Sequence, residues 1–429
     1  MIKKILRKYI PESILLGYHA VNAYVAALRY GFPGKHMTMI GITGTKGKTS
    51  TAQFVWSVLA QGGIKTGLIG TANIRIGDKE IPNAMHMTMP NPWIIQKLLN
   101  DIRLAGCTHV VMEVTSEGLK QYRNIGIDFR IAVFTNLSPE HLTSHNNSYE
   151  KYKQTKGKLF KPLATLKDSI SIVNADDVEV SYFGGFEAGK KITYGIHEGD
   201  IIARSIREHE GSVLFTVSDE PYLMKVRGVF NIYNALPAII IGHECGVPSK
   251  IIREGIASLA VIPGRMEQID EGQNFTVIVD YAHEKLSMNT LLDTARGWAE
   301  NNENIIVVVG AEGGGRDPAK REHIGRAAGV KATYVIVTTT DPYDDDPEML
   351  AEAVAGFAEQ SGKKRNQTLF VILGRREAIT KALTLARPGD IVLLTGMGAQ
   401  ETMIMGGKAL PWNERAIVRE LIHKTLNKS

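Results

Sequence analysis

Residues 39–51 constrain the fold of this chain more than any other stretch. Met39-Ile40-Gly41-Ile42-Thr43 is an apolar run that reads as a buried strand. Gly44-Thr45-Lys46-Gly47 turns, and Lys48-Thr49-Ser50 opens a helical pattern carried by Ala52, Phe54, Val55, Val58 and Leu59. Strand, glycine turn and Lys-Thr at a helix start make a phosphate cradle. Backbone N–H groups of the turn point at the anion, and the helix N-terminus adds partial positive charge. Lys48 adds a full charge, and the Thr49 hydroxyl can ligate Mg²⁺. The usual loop begins with a glycine where this chain has Ile42, so this is a variant with Gly44 inside it. A plain glycine-rich turn is the alternative, and the coincidence of strand, loop, Lys-Thr and helix argues against it.

A length of 429 residues predicts about two or three domains. With 44% hydrophobic and 22% charged residues, disorder is excluded. The net charge of +5 carries no general nucleic-acid signature, although Lys3, Lys4, Arg7 and Lys8 crowd the start. The only cysteines, Cys107 and Cys245, support neither a disulfide framework nor a zinc site. A reducing cytoplasm fits them. No apolar run reaches membrane-spanning length, and no small-residue cleavage site stands out after the basic start. Residues 1–35 read as a helical segment ending at Gly31-Phe32-Pro33-Gly34. A helix packed on the next domain is the favoured reading. A basic amphipathic helix at a membrane surface is the other.

Further buried strands follow at Gly67–Gly70, His109–Val114, Ile131–Phe134 and Ile170–Asn174, with helical spacing at Trp93–Ile102 and about Ser148–Leu163. A turn at Gly77-Asp78 and a polar stretch lie between the first of these strands and Pro90. Glu113 sits near a strand end, where a parallel α/β sheet lines its ligand crevice, and can hold Mg²⁺ there. A solvated strand-end Glu is the alternative. Residues 190–227 read as β-hairpins, and Gly228–Asn234 opens another helix. After Ile262-Pro263-Gly264 the alternation restarts, with strands expected at 275–280, 304–310, 333–339, 368–373 and 390–395. The expected architecture is α/β. A short helical N-terminus (1–35) precedes a central phosphate-loop ATPase domain with a mostly parallel sheet (36–263), and a Rossmann-like α/β domain (264–429) follows.

The order of motifs resembles the Mur ligase family, in its muramoyl-tripeptide branch, over roughly residues 38–429. The resemblance rests on Gly-Thr-Lys-Gly-Lys-Thr (44–49), Glu113-Val114-Thr115-Ser116, Phe134-Thr135-Asn136-Leu137, Glu140-His141-Leu142 with His145, and Tyr152 through Phe160. It continues through Phe230–Leu236, Gly264-Arg265-Met266-Glu267 and Val279-Asp280-Tyr281-Ala282-His283. Such ligases phosphorylate a carboxylate with ATP, and the amine of an incoming amino acid attacks the acyl phosphate. Metal and cationic groups offset the repulsion between triphosphate and carboxylate.

The resemblance implies roles. Gly44, Thr45, Lys46, Gly47, Lys48, Thr49 and Ser50 hold phosphates. Thr49 and Glu113 ligate one Mg²⁺, and His141 a second. Lys156 falls at the family's carbamylated lysine, an anionic oxygen ligand once CO₂ is added; Lys153 and Lys158 are alternatives. Lys48, Glu113, His141 and Lys156 are thus the catalytic set. Asn231, Arg265, Asp280, Tyr281 and His283 resemble nucleotide contacts, and for Asp280 and His283 a structural turn is the alternative. Thr88, Ser116 and Arg123 resemble contacts to the muramoyl peptide, with Ser116 alternatively a helix cap. Because both domains supply ligands, a hinge near Pro263-Gly264 is expected. A cytoplasmic monomer acting on small molecules is implied.

Departures limit the resemblance. Family members carry a UDP-binding domain before the loop, whereas here the loop already starts at Gly44. The acceptor can therefore carry something other than free UDP, such as a lipid, or be a poly-glutamate, cyanophycin-like or folyl-polyglutamate substrate. Diaminopimelate-adding members have Asp-Asn-Pro-Arg where this chain has Thr340-Asp341-Pro342-Tyr343, and Tyr343 cannot replace a guanidinium fork. Asp344-Asp345-Asp346 can favour a basic side chain such as lysine, or be a solvated loop. The family's Gly-Lys-Gly-His-Glu is Gly396-Met397-Gly398-Ala399-Gln400 here, so Gln400 stands in the amino-acid pocket. A nucleotide-binding regulator that has lost its chemistry is a third reading; the joint presence of Lys48, Glu113, His141 and Lys156 opposes it.

Overall fold

In the computed structural model, residues 11–426 are described except 84, 86, 141, 210, 301 and 316. The chain divides into two compact units, Met1–Ala260 and Val261–Ser429.

The strands of the first unit are β1 (Thr38–Thr43), β2 (Thr66–Ile69), β3 (Asn73–Ile76), β4 (Lys79–Pro82), β5 (His109–Glu113), β6 (Phe129–Phe134), β7 (Ile170–Asn174), β8 (Lys190–Gly195), β9 (Ile201–His209), β10 (Ser212–Val217) and β11 (Glu220–Met224). They form one sheet in the order β11-β10-β9-β8-β7-β6-β1-β5-β2-β3-β4. β1 lies between β5 and β6, parallel to both, with Ile42 beside Glu113 and Thr43 beside Phe134. The central residues of β1 and β5 and residues 131–134 of β6 are apolar and buried on both faces. The carboxyl ends of the three strands open on one crevice where the strand order reverses direction, the usual ligand position in such sheets.

The helix after the phosphate loop, Lys48–Gln61, is buried along most of its length. It packs against the helices Ile232–Glu244 and Ser249–Ser258. Gly255 makes this approach close: a Cβ there would lie 2.7 Å from the Val58 Cα. The Ser57 hydroxyl donates to the Gly255 carbonyl at 2.7 Å.

Two stretches depart from the sequence reading. The polar stretch around Gly77-Asp78 is a hairpin, β3–β4, added antiparallel to β2. Within 190–227, β9, β10 and β11 are antiparallel, but β8 pairs parallel to both β7 and β9. Alternation of side chains cannot distinguish a parallel strand from a hairpin arm. Near the N-terminus, the helix Glu12–Arg29 buries Ala23, Ala26 and Ala27. It packs on the helix Pro92–Leu104, where the Trp93 indole donates to Asn22 at 3.0 Å. Residues 1–10 lie outside the described residues.

In the second unit, β12 (Glu267–Ile269), β13 (Thr276–Asp280), β14 (Ile305–Val309), β15 (Tyr334–Val337), β16 (Leu369–Val371) and β17 (Ile391–Thr395) form a sheet in the order β12-β13-β17-β14-β15-β16. Every pairing is parallel except β12 with β13. A separate hairpin, β18 (Thr402–Met405) with β19 (Lys408–Pro411), follows. The all-apolar β14, and β17 with Thr395 as its one polar residue, are completely buried at the centre.

Candidate active site

The phosphate loop is held in shape by the segment after β6. The Thr45 N–H donates to the Asn136 carbonyl at 2.8 Å, and the Lys46 N–H to the Asn136 side chain at 2.9 Å. The Thr135 hydroxyl donates to the Lys46 carbonyl at 2.6 Å. Gly44 has φ of +151°, and a Cβ on it would overlap the Thr135 hydroxyl. That close approach is why the loop carries a glycine at 44. Ile42, where the common loop has its first glycine, is simply a buried β1 residue.

Two lysines converge on this loop. Lys48 Nζ donates to the carbonyls of Gly44 and Thr45 at 2.8 and 2.9 Å. Lys156 Nζ donates to the same Gly44 carbonyl at 2.8 Å, although 112 residues separate them in sequence. Lys156 lies on the helix Tyr149–Gly157, capped by Ser148, and is only 1% exposed. Burial, then the neighbouring Lys48 ammonium, pushes its amine well below the usual lysine range, with Glu140 opposing. The alternatives are placed otherwise. Lys153 is in ion pairs with Glu150 and Glu179 at 2.8 and 3.1 Å, and Lys158 lies over the Tyr122 ring. Lys46 pairs with Glu140 at 2.9 Å.

Glu113 ends β5 beside the loop and is buried. One of its oxygens accepts from the Thr49 hydroxyl at 3.0 Å and the Thr71 hydroxyl at 2.7 Å; the other accepts from the Thr71 N–H at 2.6 Å. It is not a solvated strand-end carboxylate. The Thr88 hydroxyl is 2.9 Å from that of Thr71, so Thr49, Glu113, Thr71 and Thr88 form one chain of oxygens. Thr71 was missed from sequence; its position just past β2, another parallel strand of the same crevice, was the available signal. Among the described residues no group of three or more His, Cys, Asp or Glu side chains could by itself hold a metal. The Thr49 hydroxyl and Glu113 nevertheless suit a hard cation that takes its remaining ligands from phosphate and water. His141 lies outside the described residues.

Ser116 is buried, and its hydroxyl is 3.0 Å from His145 Nε2. It is not the helix cap considered from sequence. Thr115 caps this short helix by accepting from the Gly118 N–H at 3.1 Å. Burial, then Lys120, Lys156 and Lys158, lowers the His145 pKa to about 4. Arg123 donates to the Met89 carbonyl and to Gln121. Ser50 is buried in the first turn of the helix Lys48–Gln61. Asn231 donates to the Arg227 carbonyl at 2.6 Å and accepts from Asn234 at 2.7 Å. Asn234 in turn accepts from the Thr51 hydroxyl at 3.3 Å, which ties Asn231 to the helix after the loop.

The second unit gathers its own group. The Arg265 guanidinium lies over the Tyr281 ring at 4.8 Å, and Tyr281 meets His283 edge to face at 4.6 Å. The two Asp280 oxygens accept from the N–H groups of Met266 and Ala282, each at 2.7 Å. Asp280 thus braces the turn that presents Arg265 and Tyr281. Asp341 is buried and accepts from the Ile404 N–H at 2.7 Å. Tyr343 is stitched through its backbone to Ile404 and Gly406 at 3.0 and 2.6 Å. The N–H of Gln400 donates to the Met397 carbonyl at 3.0 Å. Of the three following aspartates, Asp345 accepts from the Gly314 N–H and Asp346 caps the helix Pro347–Gln360. Those two brace the local backbone, although Asp346, like Asp344, is exposed to solvent.

Beneath these loops lies a buried pair that sequence reasoning did not find. Arg375 donates to both Glu414 oxygens at 2.6 and 2.5 Å, to the Thr340 hydroxyl at 2.9 Å and to the Thr395 carbonyl at 2.6 Å. The two side chains are 1% and 0% exposed.

Comparison with known proteins follows the same division. Residues 42–242 match the Mur ligase middle domain, and residues 264–398 match the Mur ligase, glutamate ligase domain. The UDP-N-acetylmuramoyl-L-alanyl-D-glutamate--2,6-diaminopimelate ligase of Caldanaerobacter subterraneus subsp. tengcongensis is 37% identical over 94% of this chain and 82% of its own length. The UDP-N-acetylmuramyl-tripeptide synthetase of Roseiflexus sp. is 37% identical over 93% and 81%. Among solved structures, a UDP-N-acetylmuramoyl-L-alanyl-D-glutamate--2,6-diaminopimelate ligase superposes with a TM-score of 0.61 at 26% identity, over 91% of this chain and 79% of that one. Folylpolyglutamate synthase of Mycobacterium tuberculosis superposes with a TM-score of 0.72 over 96% of both chains; at 17% identity this likeness is one of fold.

Proposed function

The chain belongs to the Mur ligase family and is an ATP-dependent ligase, and from that premise we propose that it joins an amino acid to the carboxylate of a muramoyl-peptide-type acceptor through an acyl phosphate, in peptidoglycan precursor synthesis. The observation that carries the reading is the meeting of Lys156 and Lys48 on the Gly44 carbonyl. A lysine buried beside a phosphate loop, whose surroundings weaken its hold on a proton, is poorly suited to neutralising phosphate. It is well suited to attack CO₂. Its lone pair forms an N–C bond, the displaced electrons settle on oxygen, and a proton leaves the nitrogen. The carbamate so formed is an anionic oxygen ligand facing the loop.

The remaining residues then take consistent parts. Lys48 and the N–H groups at the turn into the helix Lys48–Gln61 bind the triphosphate and orient its terminal phosphate, while those of Thr45 and Lys46 hold the loop to Asn136. Thr49 and Glu113 would hold one Mg²⁺, with His141 and carbamylated Lys156 at a second; the metal offsets charge as carboxylate meets phosphate. Thr71 orients Glu113, and Thr88 extends that line of oxygens toward the acceptor, together with Ser116 and Arg123. Arg265, Asp280, Tyr281, His283 and Asn231 are proposed nucleotide contacts. Asp341, Tyr343 and Gln400 are proposed to receive the amino acid. Tyr343 offers no guanidinium to a distal carboxylate, so diaminopimelate is disfavoured. Asp344 and Asp346 are both exposed, and Asp346 caps a helix, so Asp344 is proposed to meet a basic side chain such as lysine.

Amine-dependent phosphate release decides the matter. A panel of twenty amino acids is assayed with UDP-muramoyl-dipeptide, a lipid-linked muropeptide and a folate. Stimulation by the first acceptor supports the reading, and stimulation by either other acceptor alone moves the acceptor class. Failure of every pair removes the ligase assignment. Lys156→Ala is expected to lose activity and to regain part of it with short carboxylic acids. Full activity in that variant refutes the carbamate.

A further inference from the structure

We infer that the buried Arg375–Glu414 pair is the positioning element of the amino-acid subsite, given the proposed assignment of Asp341, Tyr343 and Gln400 to the incoming amino acid, on which this rests. The Arg375 guanidinium makes five hydrogen bonds, as many as it has N–H groups. Two go to the Glu414 oxygens at 2.6 and 2.5 Å. The others go to the Thr395 carbonyl at 2.6 Å, the Thr340 hydroxyl at 2.9 Å and the Thr339 carbonyl at 3.4 Å. Glu414 also accepts from the Trp412 indole at 3.0 Å.

These partners stand at the ends of three separate segments. Thr339 and Thr340 follow β15 and lead into Asp341; Thr395 ends β17 and leads into the turn that carries Gln400; Trp412 follows β19. The same segments are bonded to one another. The Ile404 N–H on β18 donates to Asp341 at 2.7 Å, the Tyr343 N–H to the Ile404 carbonyl at 3.0 Å, and the Trp412 N–H to the Glu401 carbonyl at 2.9 Å. Asp341, Tyr343, Gln400 and the β18–β19 hairpin therefore share one anchor. Stability alone does not call for an ion pair there, since well-packed apolar residues of the same volume often serve as well or better. What the planar fork adds is direction, because it fits only one arrangement of its acceptors. With side chains 1% and 0% exposed, the pair is out of reach of a substrate and acts through the loops. A subsite displaced by about 1 Å is already too loose, so locked residues behind it matter.

The double variant Arg375→Met, Glu414→Leu keeps the volume of the pair and removes its fork. Two measurements on the full chain test it. In amide hydrogen exchange without ligands, Tyr343, Ile404 and Gly406 should exchange at least about tenfold faster than in wild type, while β14 and β17 stay protected. Phosphate release is then followed with the acceptor and amino acid, of those named above, that stimulate the wild type most. The KM for the amino acid should rise at least about tenfold, with the KM for ATP within about twofold of wild type. Thr340→Val removes one acceptor, leaves the ion pair in place and should raise the same KM by a smaller factor. Unchanged exchange at the three amides, an unchanged KM for the amino acid, or an equal rise in both KM values overturns the inference and leaves the pair a stabilising contact. Should the double variant not fold, an unchanged KM in Thr340→Val overturns it. Failure of the ligase reading is told apart because it shows in the wild type, as turnover that no amino acid stimulates, and it removes the subsite together with the inference.

Discussion

Lys156 and Arg375 are both cations withdrawn from water, and their surroundings treat them differently. Arg375 meets a carboxylate and neutral oxygens along its whole guanidinium, the fork geometry that makes arginine suited to buried ion pairs. Lys156 has the Gly44 carbonyl, which it shares with a second ammonium, so its environment favours the neutral amine. The contrast predicts opposite mutational behaviour. Arg375→Met leaves Glu414 buried without its partner and should cost about 3–5 kcal/mol in denaturant unfolding. The double variant Arg375→Met, Glu414→Leu should recover most of that loss. His145 supplies a pH prediction. Its folded pKa, about 4, lies below the unfolded value, so the unfolded chain binds the extra proton. The stability it contributes is complete above about pH 6.5 and is lost as pH falls toward 4. His145→Gln should flatten the dependence of the unfolding midpoint on pH in that window.

At the scale of elements, the helix Lys48–Gln61 couples the phosphate loop to the two helices that cover it. Small residues permit the contact, and the packing is intolerant of added volume. Gly255→Ala places a methyl against the Val58 backbone and should destabilise by about 1–3 kcal/mol, measured by urea unfolding. This approach could not be read from sequence, because an isolated helical glycine signals only a weak helix former. The strands were more legible. Those expected at 275–280, 304–310, 333–339, 368–373 and 390–395 appear as β13 to β17, trimmed by a residue or two at their ends. Continuous Val-Ile-Leu runs have few alternatives when helical patterns flank them. The β3–β4 hairpin was missed because its strands are short and largely polar, with β4 mostly exposed.

For the whole molecule, the expectation follows from nucleotide binding to the folded chain alone. ATP with magnesium should raise the midpoint of thermal unfolding by an amount that grows with ligand concentration, and Lys48→Ala should remove most of the shift. An unchanged midpoint at millimolar ATP would count against the 44–49 loop as a phosphate site. The two matched family regions, 42–242 and 264–398, fall on either side of the division between the two compact units.

The sequence by itself determined the loop and its strand, because glycine, lysine and threonine at those spacings serve few other purposes. It also determined the alternation of strands and helices, since apolar periodicity reports directly which side of an element is covered. Only the tertiary structure decided which lysine of the 151–158 run reaches the loop, since four lysines on a helix look alike until one is buried. It also decided that Asp345 and Asp346 are framework, that Arg375 and Glu414 form a pair across 39 residues, and that one face of the first helix is left uncovered. Each of these depends on what lies opposite a side chain in space, and that is set by topology, which local pattern does not encode.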